Sequence, residues 1–283
     1  MLSLGFGLLA ASAWAVHDLL VRKLAQSAAV LPMLMTVLAA GMVALLIPAL
    51  VMGGWDTMGR AAMVPAIAAG VAYVAGSGGL YQALGRAPVR IVAPVLGSFP
   101  ILSLGIAAGQ GRAVATVEWL AVLAIVFGIA MVTLTGRDGG TPTRGSLGAA
   151  LGWAAVGAAG FAATFALSQE AARQGAEVPA MVVTRVTALA GVLLLCATFR
   201  SIRPVPGTVP VLLGMGVLDA TALGLVTASA GLPNPEYAAV ASALFGVLTI
   251  LLAWKVLGER VAALQWVGIA TVFAGIAVLS LQG

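Results

Sequence analysis

Ten apolar runs, each about the length of a bilayer-spanning helix, follow one another along the chain with only short interruptions. They cover roughly 3–22, 31–52, 62–84, 88–108, 116–135, 146–168, 179–199, 208–230, 235–256 and 262–281. The breaks carry helix punctuation, among them Gly53-Gly54, Arg86-Ala87-Pro88, Arg137-Asp138-Gly139-Gly140, Arg203-Pro204 and Pro233-Asn234-Pro235. Hydrophobic residues make up 61% of the chain and charged ones 8%. A water-soluble domain carries about a quarter charged residues and must face much of its surface to water, so lipid is the solvent that fits. Apart from the interruptions no stretch is long enough for a soluble domain. The expected fold is an all-α polytopic membrane protein with ten transmembrane helices.

The two halves resemble each other. An ungapped shift of 147 residues places Pro32 on Pro179, Pro88 on Pro235, Gly111 on Gly258, Trp119 on Trp266, and Gly128-Ile129-Ala130 on Gly275-Ile276-Ala277. Residues 1–138 and 139–283 therefore read as two repeats of five helices. Because five is odd, the second copy enters the membrane from the opposite side, giving inverted repeats around a central cavity near midplane. Charge agrees with this reading. Loops 1–2, 3–4, 5–6, 7–8 and 9–10 carry Arg22, Lys23, Arg86, Arg90, Arg137, Arg144, Arg200, Arg203, Lys255 and Arg260, whereas the alternate loops carry Arg60, Arg112 and Arg173. By the positive-inside rule the first set is cytoplasmic and both termini lie outside, in an inner (plasma) membrane. The net charge of +5 is scattered in ones and twos, which excludes a nucleic-acid footprint. A single histidine and a single cysteine, Cys196, leave no metal-ligand set and no internal disulfide, and no cofactor motif or P-loop occurs. Paired intramembrane aspartates, a Gly-x-Ser-x-Gly elbow and His-Glu-x-x-His are all missing, so enzyme chemistry is not expected.

With the repeat in view, the chain resembles the drug/metabolite transporter superfamily, and within it the ten-helix EamA-type exporters. The residues that carry this are Leu257-Gly258-Glu259-Arg260, Gln265-Trp266-Val267-Gly268 and Gly275-Ile276 at the end of the second repeat. The first repeat keeps Gly111, Trp119 and Gly128 but has Arg112 where the second has Glu259. Among these exporters the amino-acid exporters of the YddG kind are the nearest in kind. The resemblance implies a basket in which helices 1, 3, 4, 6, 8 and 9 line the cavity and helices 5 and 10 stand outside. It implies secondary transport of small neutral or zwitterionic solutes, amino acids foremost, with proton-coupled export of organic cations as the alternative. The implied partners are a small-molecule solute and the bilayer, and the oligomeric state is left open, a monomer included.

Several side chains are candidates for the cavity. Trp14, His17 and Asp18 share one face of helix 1 at i, i+3 and i+4. His17 is a candidate solute or proton site, and Asp18, close to Arg22-Lys23, reads as an interface residue. Tyr73, Ser77 and Tyr81 form a stripe on helix 3 beside Gly76, Gly78 and Gly79, suited to an amphiphile whose polar head meets hydroxyls and whose tail meets rings. Phe99 on helix 4, Phe161 on helix 6, and Ser242 and Phe245 on helix 9 complete the set. Pro94 and Pro100 mark helix 4 as a hinge. Arg185 and Asp219 are the clearest intramembrane charges, and the cost of an unpaired charge in lipid makes them an expected structural pair, or else a coupling site.

Overall fold

The structure, a computed structural model, describes residues 1–24, 29–87, 92, 95–134, 146–200, 207–248, 251–252 and 262–282. Pro94, Arg90, Arg137, Arg144, Arg203, Lys255 and the Leu257-Gly258-Glu259-Arg260 signature lie outside the described residues. Among these residues there are ten α-helices and no strand: α1 (Leu2–Leu24), α2 (Val30–Met52), α3 (Arg60–Leu84), α4 (Phe99–Gly109), α5 (Thr116–Leu134), α6 (Leu147–Gln174), α7 (Glu177–Thr198), α8 (Val209–Ala228), α9 (Glu236–Ser242) and α10 (Ala263–Ser280). Six of them, α1, α2, α3, α6, α7 and α8, are long and apolar enough to cross a membrane. Their outward faces carry large apolar side chains that water would penalise, such as Ile47, Leu50 and Val51 on α2, with Leu50 81% exposed. Lipid satisfies those faces, and the chain is a multi-pass membrane protein.

Local chemistry explains the ends. Gly53 and Gly54 both take positive φ, 67° and 84°, which lets the chain turn sharply after α2. Ser146 caps α6 by accepting from the Ala149 amide at 3.2 Å. At the start of α5, Glu118 Oε2 accepts from the Ala115 amide at 2.7 Å, and at the start of α10, Gln265 Oε1 accepts from the Ala262 amide at 2.8 Å. These two caps stand 147 residues apart, the same offset that aligns the halves of the sequence.

Small residues set the helix pairings, because lipid offers no hydrophobic drive to bring helices together and close backbone approach must supply the attraction. Gly76 and Gly79 of α3 face Gly160 and Gly157 of α6, and Gly41 of α2 faces Gly216 of α8. The main pairings are α1 with α8 and α9, α6 with α3 and α4, α2 with α8, α7 with α3, α2 with α7, α4 with α9, and α5 with α10. Setting α4 and α9 aside, since the 147-residue shift places them on stretches largely outside the described residues, exchanging the two halves maps this set onto itself. One further contact does not follow the exchange: among the described residues α6 also packs on α8, while α1 makes no comparable contact with α3.

Helix 4, expected over 88–108 with Pro94 and Pro100 as a hinge, is interrupted within the described residues. The chain turns at Gly97-Ser98, where the Ser98 hydroxyl donates to the Val95 carbonyl at 2.6 Å, and α4 starts afresh at Phe99. Pro100 therefore sits in the first turn of a helix, where its missing N–H leaves no bond unmade. The ninth span is broken too: after α9 comes a turn at Ala243-Leu244, and helix resumes over 245–248. Interrupted helices at matching places in two halves are a mark of solute sites in membrane carriers.

Candidate functional site

Where the two interrupted helices meet α1, α3, α6 and α8 they line a cavity with about 490 Å³ of space not filled by atoms, its open mouth included. Helical spacing decides what faces it. On α1 the i, i+3, i+4 face brings Trp14, His17 and Asp18, and on α3 the four-residue spacing brings Tyr73, Ser77 and Tyr81. Phe99 enters from the first residue of α4, Phe161 and Phe165 from one face of α6, Asp219 from α8, and Phe245 from just beyond the α9 turn. α2 adds Leu34 and Val37, a contribution the family resemblance does not imply, whereas among the described residues α5 and α10 supply no lining residue.

Of the eight side chains expected to face a solute, seven stand together here: Trp14, His17, Ser77, Tyr81, Phe99, Phe161 and Phe245. Ser242 does not join them. It is fully buried in α9 and its hydroxyl donates back to the Ala239 carbonyl at 2.7 Å. Asp18, expected at the membrane interface, lines the cavity and holds His17 Nδ1 at 3.0 Å.

The rings form one continuous wall. Phe165 is its centre, with ring centroids 5.6 Å from Trp14, 5.5 Å from Phe99 and 6.2 Å from Phe161. Sequence reading missed Phe165, although it follows Phe161 by four residues and so had to share its face. Arg185 and Asp219 do pair, with Nη1 2.5 Å from Oδ2 and both side chains buried. The carboxylate has further partners that the sequence did not disclose. Tyr73 donates its hydroxyl to Oδ2 at 2.6 Å, Trp14 donates its indole N–H to Oδ1 at 3.0 Å, and the guanidinium carbon lies 5.1 Å from the centre of the Tyr73 ring. Asp219 thus ties α1, α3 and α7 to α8 and fixes two of the aromatic side chains that face the cavity.

Three polar atoms in the wall have no hydrogen-bond partner among the described residues: His17 Nε2, Ser77 Oγ and Tyr81 Oη. A buried polar atom without a partner costs on the order of 1–3 kcal/mol, and these three belong to residues that line one space. Their capacities differ. An ionised Asp18 can only accept, so His17 Nδ1 carries the proton of their hydrogen bond, and in the neutral ring Nε2 is an acceptor. The Ser77 and Tyr81 hydroxyls can each donate. No group of three or more His, Cys, Asp or Glu that could hold a metal ion occurs among the described residues.

Comparison with known proteins bears on the fold and the family. A solved structure, described only as the crystal structure of a protein, superposes with a TM-score of 0.78 over 99% of this chain and 96% of its own, at 20% identity. At that identity the likeness is one of fold. No curated protein matches at a significant level. The model of the EamA-like transporter family matches residues 148–281. The second half of this all-helical membrane chain thus carries the pattern of the EamA-like transporters.

Proposed function

We propose that the protein is a secondary transporter that exports small neutral or zwitterionic metabolites, or facilitates their passage, by alternating access, amino acids with apolar or aromatic side chains being the best fit. The observation that carries this reading is the set of three unpartnered polar atoms beside a wall of rings. A zwitterionic head answers both kinds of group, its ammonium donating to His17 Nε2 and its carboxylate accepting from Ser77 and Tyr81. The rings of Trp14, Phe161, Phe165 and Phe99 then cover an apolar tail. The carboxylate of Asp219 already has Arg185 as counter-ion, which weighs against an organic-cation exporter built around it.

Flux of labelled amino acids, sugars and organic cations into reconstituted liposomes tests the reading. Tyr81→Ala and Trp14→Ala should each slow uptake of the preferred solute about tenfold or more, the order expected when a hydrogen bond to a charged group or a buried aromatic contact is lost. Wild-type flux in both variants would remove the cavity from the account.

The reading extends to residues 1–138 and 139–283 as oppositely inserted repeats, in an inner membrane, with both termini outside the cytoplasm. The exchange symmetry of the main pairings and the matched caps at α5 and α10 support the repeat, and the ten-to-three distribution of Lys and Arg in the loops supports the orientation. Cysteines placed at Leu2 and Gln282 in a Cys196→Ala background should react with a membrane-impermeant thiol reagent in intact cells. Labelling only after the cells are opened would reverse the orientation.

A further inference from the structure

The cavity extends from the middle of the helix bundle toward one end. Its lining comes from the middle of α6 and α8, the C-terminal halves of α1 and α3, the N-terminal third of α2 and the start of α4. Toward the other end the same helices close on one another. Gly7 of α1 is so near α9 that a Cβ there would lie 2.6 Å from the Cβ of Ala241. Ser3 of α1 donates to the Pro233 carbonyl at 2.6 Å, and Gln169 of α6 donates to the Val226 carbonyl, Ser229 Oγ and the Pro235 carbonyl at 3.1, 2.9 and 2.8 Å. The Gln169 bonds put a contact between α6 and the C-terminal end of α8 at this tight end, and among the described residues α1 makes no comparable contact with α3.

A charged cluster stands over it. Arg112, in the loop after α4, donates through Nη2 to Glu118 Oε1 of α5 at 2.6 Å and brings Nε within 2.5 Å of Glu236 Oε1 at the start of α9. Tyr237 donates its hydroxyl to Glu118 and lies under the guanidinium, ring centre to Cζ 5.6 Å. Glu118, Glu236 and Tyr237 are buried. The cluster joins the first half of the chain to the second, and it does so at the far ends of two helices that also reach the cavity. α4 runs from Phe99 to the Arg112 loop, and the ninth span runs from Glu236 to Phe245, roughly 15 Å of helix in each case.

Resting on the transport reading, we propose that Arg112, Glu118, Glu236 and Tyr237 form the lock that holds the solute path shut at the end opposite the cavity. A solute leaving by that end must pass between α4 and α9, and those helices cannot part while Arg112 bridges Glu118 and Glu236. Opening exchanges these contacts for water, and closing restores them.

Spin labels at Gln110 and Pro233, both exposed, in a Cys196→Ala background report the separation of α4 and α9 in detergent or nanodiscs. Arg112→Gln and Glu236→Gln, close in shape to the native side chains, should each raise the long-distance population relative to the short one on the order of tenfold, within the usual range for coupled contacts. Two variants guard against one that misfolds, and size-exclusion monodispersity identifies it. Distances unchanged in both variants overturn the lock, and solute flux in liposomes shows whether the transport reading stands without it. Wider distances in either variant support the lock, whether or not the solutes tried are carried.

Discussion

Arg185→Leu should lower the thermal stability of the purified protein severely, by about 3–5 kcal/mol, and Asp219→Leu should do the same. Each substitution strands a buried charge in a region with little water. Without Arg185, the Asp219 carboxylate keeps only the Tyr73 hydroxyl and the Trp14 indole. Without Asp219, the guanidinium is left above the Tyr73 ring, with Nε and Nη2 already lacking partners. The double substitution should recover part of the loss, with a coupling of roughly 1–3 kcal/mol. Full recovery is not expected, because Trp14 Nε1 and Tyr73 Oη would then lose their acceptor. Losses that simply add in a thermal-shift or urea series would show that the two charges do not act as a pair.

Gly79→Val is expected to damage the helix packing severely. A Cβ at that position would lie 2.5 Å from the Gly157 amide nitrogen and 2.7 Å from the Trp153 carbonyl oxygen. Both are backbone atoms of α6 and cannot swing aside as a side chain would. Either α3 and α6 move apart along their whole crossing or the helices distort, at a cost of about 3 kcal/mol or more. Gly78→Val is the control one residue away, since a Cβ there meets nothing within 4 Å. Monodisperse yield and melting temperature in detergent should collapse for Gly79→Val and hold for Gly78→Val. Equal behaviour would mean that the α3–α6 crossing does not depend on close approach.

Much of this was legible in the sequence, and the gaps have physical causes. Trp14 and His17, or Ser77 and Tyr81, could be placed on common faces because helical periodicity fixes which side chains lie together. The Arg185–Asp219 pair followed from the cost of a lone charge in lipid. The hydrogen bonds of Tyr73 and Trp14 to Asp219 did not, because they cross 146 and 205 residues of chain and no local pattern encodes them. Arg112 counted only as a loop charge and Glu118 and Glu236 were not singled out, since only the docking of α9 against the α4–α5 loop brings them together. The turn at Ala243-Leu244 has no Pro or Gly to announce it. There tertiary contacts override a stretch of good helix formers.

The imperfect exchange of helix pairings has a consequence of its own. A set of contacts that maps onto itself when the halves are swapped is indifferent to which half is drawn tight. Among the described residues α6 is gathered against α8, while α1 makes no comparable contact with α3. On the proposed repeat, the opposite choice would gather α1 against α3 through the corresponding faces. What tips the balance would then lie in positions where the halves differ in chemistry. Glu118, bound to Arg112 and Tyr237, corresponds to the uncharged Gln265 at the matching cap. On the transport reading, polar side chains such as these would bias the chain toward one of two packings and so set how much of it waits in each shape.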